Sequence, residues 1–369
     1  MRQTLKQYHV TLTTQGPVFV GDSTELNKKE YIITPDGQNV VVLDMNLLWR
    51  LLGRYRGMQD QFQEFMMCPW KKSIEDWLQR ECKLPIYMLQ QCAKETIPSG
   101  YGSLNSNAKD RIMNFIRDPY GKPYVPGSSL KGMLRTVLLS EKTHGDPEHW
   151  KTAADHLMRA TITGNSKRDA RLENEEIETQ AFKTLNRKEK RPQDPLNDVL
   201  AGLIVRDSDP LDPSCLTICG KLETKPNGDA ATINLSRVCI QPGTEIHFDI
   251  TIDETILPLT SKDLMHAVSV FDEVYQKCFL DAFRDAETLT GDQVFLGGGA
   301  GFATKTVVYP LLGKVNGLHF TTNLLKQNFK QHKHEKDETL HKVSPHIMKT
   351  ALYHGKKLPY GQCRIRIDE

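Results

Sequence analysis

The chain has 369 residues, 38% of them hydrophobic and 25% charged, with a formal net charge of only +2. That balance excludes a disordered or fibrous chain and leaves room for roughly two to three domains with real cores. No apolar run approaches the ~20 residues of a membrane span, and the opening MRQTLKQYHVTLTTQ has no apolar secretion segment, so a cytoplasmic protein is expected.

Residues 7–14, QYHVTLTT, alternate and are β-rich, which predicts a strand. YIIT and NVVVLD flank the turn Pro35-Asp36-Gly37 and predict a hairpin. From Met45 to about Ala93 apolar residues recur at helical spacing, with Trp49, Leu52, Trp70, Ile74 and Trp77 expected in the core. TIPSGYGSLNSN, 96–107, reads as a polar loop, and YVPGSSLKGMLRTVLLSE as a strand end, a turn and a helix starting near Ser128 or Ser129. Residues 161–198 are charged and poor in large apolar side chains, as expected of a loop or linker. Within them, Lys183 to Arg191 hold five basic residues against one acid, a solvated run or an RNA-contacting segment.

GLIVRDSDPLDP predicts a strand entering a turn, and RVCIQPGTEIHFDITID two strands around Pro242-Gly243. SKDLMHAVSVFDEVYQKCFLDAFRDAE predicts a long helix capped by Ser261, with Leu264, Val268, Phe271, Val274 and Cys278 on one face. QCRIRID closes the chain as a strand. Short alternating strands and helices in each half predict α+β units with antiparallel sheets.

Two segments carry chemistry. Gly297, Gly298, Gly299 and Gly301 stand just before Thr304-Lys305-Thr306. A nucleotide P-loop counted from Gly299 requires glycine where Thr304 stands. Phe302 likewise occupies the third glycine position of a dinucleotide fingerprint, and Thr-Val-Val-Tyr-Pro after Lys305 favours strand over helix. A glycine loop that is not a nucleotide cradle can still turn backbone N–H groups toward an anion or lie against single-stranded RNA, with Lys305 nearby and Phe302 able to stack on a base. In PGSSLKGMLR, Gly127, Ser128 and Ser129 precede Lys131 and Arg135, which are four apart and share a helix face at a positive helix end.

Other candidates are weaker. The eight cysteines form no CxxC pair and read as buried thiols. His332, His334 and His341 lie in the charged KQHKHEKDETLHK, which reads as a solvated loop, so no metal is expected. Asp207, Asp209 and Asp212 in RDSDPLD suit a turn better than a Mg²⁺ site, and His9 lies on a strand without an evident partner. From Leu296 onward twelve Lys/Arg face five Asp/Glu, a local +7 that leaves −5 on the first 295 residues and hints at a polyanion surface.

PGSSLKGMLR followed by LGGGAGFATKTVVYPL resembles the RAMP superfamily of CRISPR-associated proteins. GPVFVGDSTELNKKEYII, QPGTEIHFDI and HKVSPHIMKTALYHGKKLPYGQCRIRI extend the likeness, toward a subunit family of the type III-A Csm effector complexes. Residues 55–110 and 140–200 carry little of it. The resemblance implies two ferredoxin-like domains related to the RNA-recognition motif. These would be 1–200, with a helical insertion (about 45–110) and a charged loop (about 161–198), and 201–369, with the glycine loop. It also implies a non-catalytic, cofactor-free subunit that caps the backbone filament and holds the 3′ part of the guide RNA. Its partners would be guide RNA, target RNA in the assembled complex, neighbouring Csm backbone subunits and host nucleases that mature the guide. RNA-backbone contacts would fall on Gly127, Ser128, Ser129, Lys131 and Arg135, and on Gly297, Gly298, Gly299, Gly301, Phe302 and Lys305. The alternative within the superfamily is a histidine- or metal-dependent endoribonuclease acting on guide RNA.

Overall fold

The N-terminal strand is the one around which the chain closes. A computed structural model describes residues 4–69, 73–100, 102, 111–160 and 175–369. In chain order the strands are β1 Leu5–Thr14, β2 Gly21–Leu26, β3 Tyr31–Ile33, β4 Asn39–Leu43, β5 Ala93–Pro98, β6 Arg111–Phe115 and β7 Leu203–Val205, then β8 Leu216–Thr224, β9 Ala230–Ile240, β10 Glu245–Asp253, β11 Gln293–Phe295, β12 Met348–Tyr353, β13 Lys356–Pro359 and β14 Gln362–Asp368. The longer helices are α1 Met45–Leu52, α2 Met58–Met67, α3 Gly127–Gly145, α4 Lys151–Ala160, α5 Ser261–Cys278 and α6 Val308–Asn328.

Alternation in β1 buries Tyr8, Val10 and Leu12 on one face and sends His9 and Thr13 to the other. The strand is central in an antiparallel sheet ordered β11-β14-β1-β10-β7. Its apolar face joins the largest core, with Ile246, Phe248, Ile250 and Ile252 of β10 and the α5 residues Leu264, Val268, Phe271 and Val274. Each such side chain contributes about 1.5–3 kcal/mol by leaving water. The α5 cap is Thr260, not Ser261: Thr260 accepts the Asp263 N–H while the Asp263 carboxylate takes the Thr260 N–H, a reciprocal box that starts the helix one residue earlier than expected, at Ser261.

The second sheet is ordered β13-β12-β8-β9-β6-β2 and is antiparallel except for the parallel pair β6–β9, where only antiparallel pairing was expected. The hairpin β3–β4 forms around Gly37 as predicted and gains β5 as a third strand. With α1 and α2 it closes a separate small core of Ile32, Val41, Leu48, Leu52, Ile74, Trp77 and Leu89. The mixed α+β reading holds.

Several expectations need correction. Strands from both sides of residue 200 share both large sheets, since β1 lies between β10 and β14 and β6 lies beside β9, so that boundary does not separate two sheets. Trp49 is 39% exposed, because its helix turns Leu48 and Leu52 inward instead. Trp70 lies outside the described residues. The stretch 96–107 begins as strand, because Ile97 and Pro98 pair with β4; residues 101 and 103–107 lie outside the described residues. In the charged stretch 161–198, residues 175–182 are helical and bury Ile177 and Phe182, while 161–174 lie outside the described residues. After Lys305 the chain forms α6, not a strand. Pro310 falls in its first turn, where no intrahelical N–H partner is needed, and the helix bends at Gly313, whose φ is 69°.

Asp272 on α5 ties that helix to the strand before the glycine loop. It is 2% exposed and its Oδ2 accepts the Gln293 N–H at 2.8 Å. Burial first, and then the nearby Asp292 charge, push its carboxyl up to about 7, against hydrogen bonding from the Gln293 and Gly291 backbone. A raised carboxyl binds its proton more tightly in the folded chain. Its stabilising contribution is therefore complete below the unfolded value of about 3.9 and is lost as the pH rises through about 7. Asp272→Asn, which cannot ionise, should gain melting temperature over the parent at pH 8 and little at pH 4. A difference that stays flat across that range would contradict a buried, proton-binding Asp272.

Candidate nucleic-acid interface

The helix-start segment is committed to packing. The Gly127 N–H donates to Asp207 Oδ1 at 2.7 Å, and a Cβ there would stand 2.5 Å from the Val205 carbonyl oxygen. Ser128 is exposed and Ser129 half-buried, but neither caps α3, whose boundary residue is Pro126. Lys131 Nζ donates to the Leu200 and Leu203 carbonyls, both at 2.7 Å, and burial pulls its pKa below the usual lysine value. Arg135 forms ion pairs with Glu178 at 2.9 Å and Asp198 at 3.0 Å and lies over the Phe182 ring. The shared face of Lys131 and Arg135 is real, but residues 178–203 fold over it and neutralise it.

The glycine loop is held by main-chain bonds between three chain segments. The Leu296 N–H donates to the Gly361 oxygen at 2.8 Å, the Gly361 N–H to Pro17 at 2.9 Å, and the Gly298 N–H to Phe19 at 2.7 Å. Gly297, Gly299 and Gly301 have φ of 76°, 94° and 104°, a region closed to most side chains. A Cβ on Gly297 would lie 2.2 Å from the Phe19 carbonyl oxygen, and one on Gly299 only 2.1 Å from Arg237 Nη1. Phe302 is half-buried against the main core, not offered as a free platform. Lys305 is exposed along its stem, with Nζ donating to the Phe295 carbonyl at 3.2 Å.

Beneath this loop lies a group that sequence reasoning missed. Arg237 on β9 is 9% exposed, and its guanidinium lies 4.7 Å from the Phe19 ring centre and 5.5 Å from that of Tyr360. Among the described residues, its Nε and Nη1 find no hydrogen-bond partner. Arg237 is opposite Cys219 and Lys349 is opposite Glu223, so the two-residue pleat of β8 puts Arg237, Lys221, Glu223 and Lys349 on one sheet face. Lys349 pairs with Glu223 and lies 3.7 Å from where a Gly301 Cβ would stand. Burial, followed by the positive charges of Lys349 and Arg237, lowers the pKa of Lys221. Three cations and one carboxylate beside a side-chain-free loop make a surface suited to an anionic backbone.

The remaining candidates separate cleanly. The basic loop 183–197 is built around buried Asn197, whose amide donates to the Lys188, Arg191 and Pro192 carbonyls while residues 187–191 stay exposed. Asp207 holds Gly127, and Asp212 accepts the Ser214 N–H at 2.8 Å, so both serve turns. His9 does have partners: it stacks on His247 at 5.3 Å and reaches Asp249 Oδ1 at 3.3 Å. No helix among the described residues is long and apolar enough to cross a membrane.

The model of the RAMP superfamily matches residues 11–339. The CRISPR system Cms protein Csm5 of Mycobacterium tuberculosis (strain ATCC 25618 / H37Rv) is 27% identical over 396 aligned positions, covering 100% of this chain and 99% of that protein. One chain of a cryo-EM structure of a Csm-crRNA-target RNA ternary complex of a type III-A CRISPR-Cas system matches with a TM-score of 0.62 at 19% identity, over 97% of this chain and 100% of that one. The crystal structure of T. onnurineus Csm5 gives 0.55 at 20% identity, over 96% and 99%.

The internal partners of Lys131 and Arg135 predict a loss of stability. Arg135→Ala strands two carboxylates and Lys131→Ala two carbonyls, each expected to cost about 1–3 kcal/mol. Chemical denaturation should show this, with the salt dependence of RNA binding unchanged. A reduced salt slope without lost stability would return both residues to the RNA surface.

Proposed function

The chain belongs to the RAMP superfamily, and we propose that within it the chain is a non-catalytic, RNA-binding subunit of a type III-A CRISPR Csm complex. The observation that carries the RNA-binding part is the crowded cationic face of Arg237, Lys221 and Lys349 beside the side-chain-free glycine loop. A charge withdrawn from water is costly, and the buried Arg237 acts on an approaching phosphate through its charge, which low surrounding polarity screens weakly. Lys221 and Lys349 add charge on the same sheet face, while Gly297 to Gly301 let a sugar-phosphate chain approach the backbone.

Read this way, the loop and sheet face grip the backbone of the guide RNA without reading its sequence. The finer role follows the family: a cytoplasmic subunit that caps the filament, holds the 3′ part of the guide, meets the neighbouring backbone subunits and target RNA, and assists guide maturation with host nucleases in antiviral defence. The likeness to Csm proteins supports this assembly role. An endoribonuclease is the less favoured reading. Asp207 and Asp212 are occupied as turn residues, and His9 is engaged with His247 and Asp249 along β1 and β10.

Arg237→Gln should weaken binding of single-stranded RNA about equally for all sequences. It should also lower the slope of log affinity against log salt by roughly 0.7, one phosphate contact on a single strand. An unchanged slope, with the variant folded, would remove Arg237 from the interface. End-labelled RNA incubated with the chain in Mg²⁺ or in EDTA should stay intact on denaturing gels. Mg²⁺-dependent fragments, or fragments abolished by His9→Ala, would make the protein an enzyme.

A further inference from the structure

The chain between α6 and β12 has no strand and only three short turns, Lys330–His332, His334–Lys336 and Asp337–His341. Lys333 and Lys342 sit there in left-handed backbone, at φ 54° and 56°. Val343 is its one buried large apolar side chain. Hydrophobic burial therefore does little to define this stretch, and its centre is polar instead: Asp337 is 0% exposed, and His334, Ser344 and His346 are buried around it.

Among the described residues, one group of His, Cys, Asp and Glu side chains places three ligand atoms within 4.8 Å of one another: His334, Asp337 and His346. Asp337 turns Oδ1 to His346 Nδ1 at 2.6 Å and Oδ2 to His334 Nδ1 at 3.0 Å, and Ser344 Oγ donates to Oδ2 at 2.7 Å. Ligands held about 2.0–2.2 Å from a tetrahedral ion lie roughly 3.4 Å from one another, so an ion at the centre needs the hydrogen-bonded side chains to part by less than about 1 Å. The His341 ring stacks on His346 at 4.7 Å and supplies a further imidazole at the rim. His319 on α6 reaches Glu338 at 2.7 Å, and the Tyr309 hydroxyl donates to the Ser344 carbonyl, so the cluster is anchored to that helix on two sides.

We propose that His334, Asp337 and His346 form a structural site for one divalent transition-metal ion. Two imidazole nitrogens and a carboxylate point to the zinc class, with His341 nearest to complete the coordination. A fully buried carboxylate beside two imidazoles is what such an ion neutralises, and a loop with almost no apolar core gains most from a staple. The ion would fix the chain as it enters β12, the strand that carries Lys349 to the cationic face. The inference stands on the cluster alone and does not depend on RNA binding.

The test is metal content. Untagged full-length protein, dialysed against metal-free buffer, should retain about one zinc per chain by mass spectrometry of the elements. After stripping and reloading with Co²⁺, it should show the visible ligand-field bands of a nitrogen- and oxygen-ligated ion. His346→Ala should lose both signals, and His144→Ala, at an exposed histidine on α3, should keep both. Should His346→Ala fail to fold, Asp337→Asn serves in its place, because the amide preserves shape while removing the anionic ligand. A parent chain that holds no stoichiometric zinc and takes up no Co²⁺ would overturn the proposal, leaving a purely hydrogen-bonded cluster. Metal retained by a folded His346→Ala or Asp337→Asn would overturn it as well.

Discussion

The structure turns on a charge held in an awkward place. Arg237 lies between the rings of Phe19 and Tyr360, nine-tenths out of water, with two of its nitrogens unpartnered. Ring faces attract a cation by about 0.5–2 kcal/mol, but they accept hydrogen bonds poorly, and each unused donor costs about 1–3 kcal/mol. That deficit is tolerated in a packed protein mainly where function needs it. The loop above can approach only because Gly299 lacks a Cβ, which would overlap the guanidinium. The glycines and the arginine are thus one device, although they are about sixty residues apart in the chain.

Topology makes that device possible. Phe19 follows β1, the glycine loop follows β11, and Tyr360 precedes β14; the shared sheet β11-β14-β1 lays these three exits side by side. Main-chain hydrogen bonds then join Pro17, Phe19, Leu296, Gly298 and Gly361. Backbone bonds do not depend on side-chain rotamers, so the fold itself fixes the loop. The interleaving of the two chain ends also explains why a boundary at residue 200 is a poor description of the sheets. β1 belongs to neither half alone.

Local periodicity was readable; which surfaces would be covered was not. The strand of β1, the Gly37 hairpin, the apolar stripe of α5 and the closing strand all follow from patterns a few residues long. Lys131 and Arg135 follow the same logic to their shared face. What lies over that face is decided by residues 43 to 72 positions away, which no local pattern specifies. Arg237 gave a faint signal, an arginine leading the apolar run RVCI, but its meaning depends on Phe19 and Tyr360 arriving from distant segments. The histidine-rich stretch looked solvated because its charge count is high. Most of it is indeed exposed; only His334 and Asp337 turn inward, and His346, beyond the charged run, completes the cluster.

Charge composition misleads in a similar way. The excess of basic residues after Leu296 does not form one basic surface: Arg364 pairs with Asp292, Arg366 with Asp368, and Lys305 turns to a carbonyl. Two of the three cations on the candidate face, Lys221 and Arg237, lie before that region altogether. What distinguishes the face is crowding. Lys221 is held below the ordinary lysine pKa by burial and by Lys349 and Arg237, so the folded chain already bears a repulsion that an anion between them would relieve. By linkage, whatever anion binds there must restore part of the Lys221 proton affinity, and the strength of binding is coupled to that proton. A small group of cations pressed together by the fold is therefore a better mark of an anion site than a larger number spread over a basic tail.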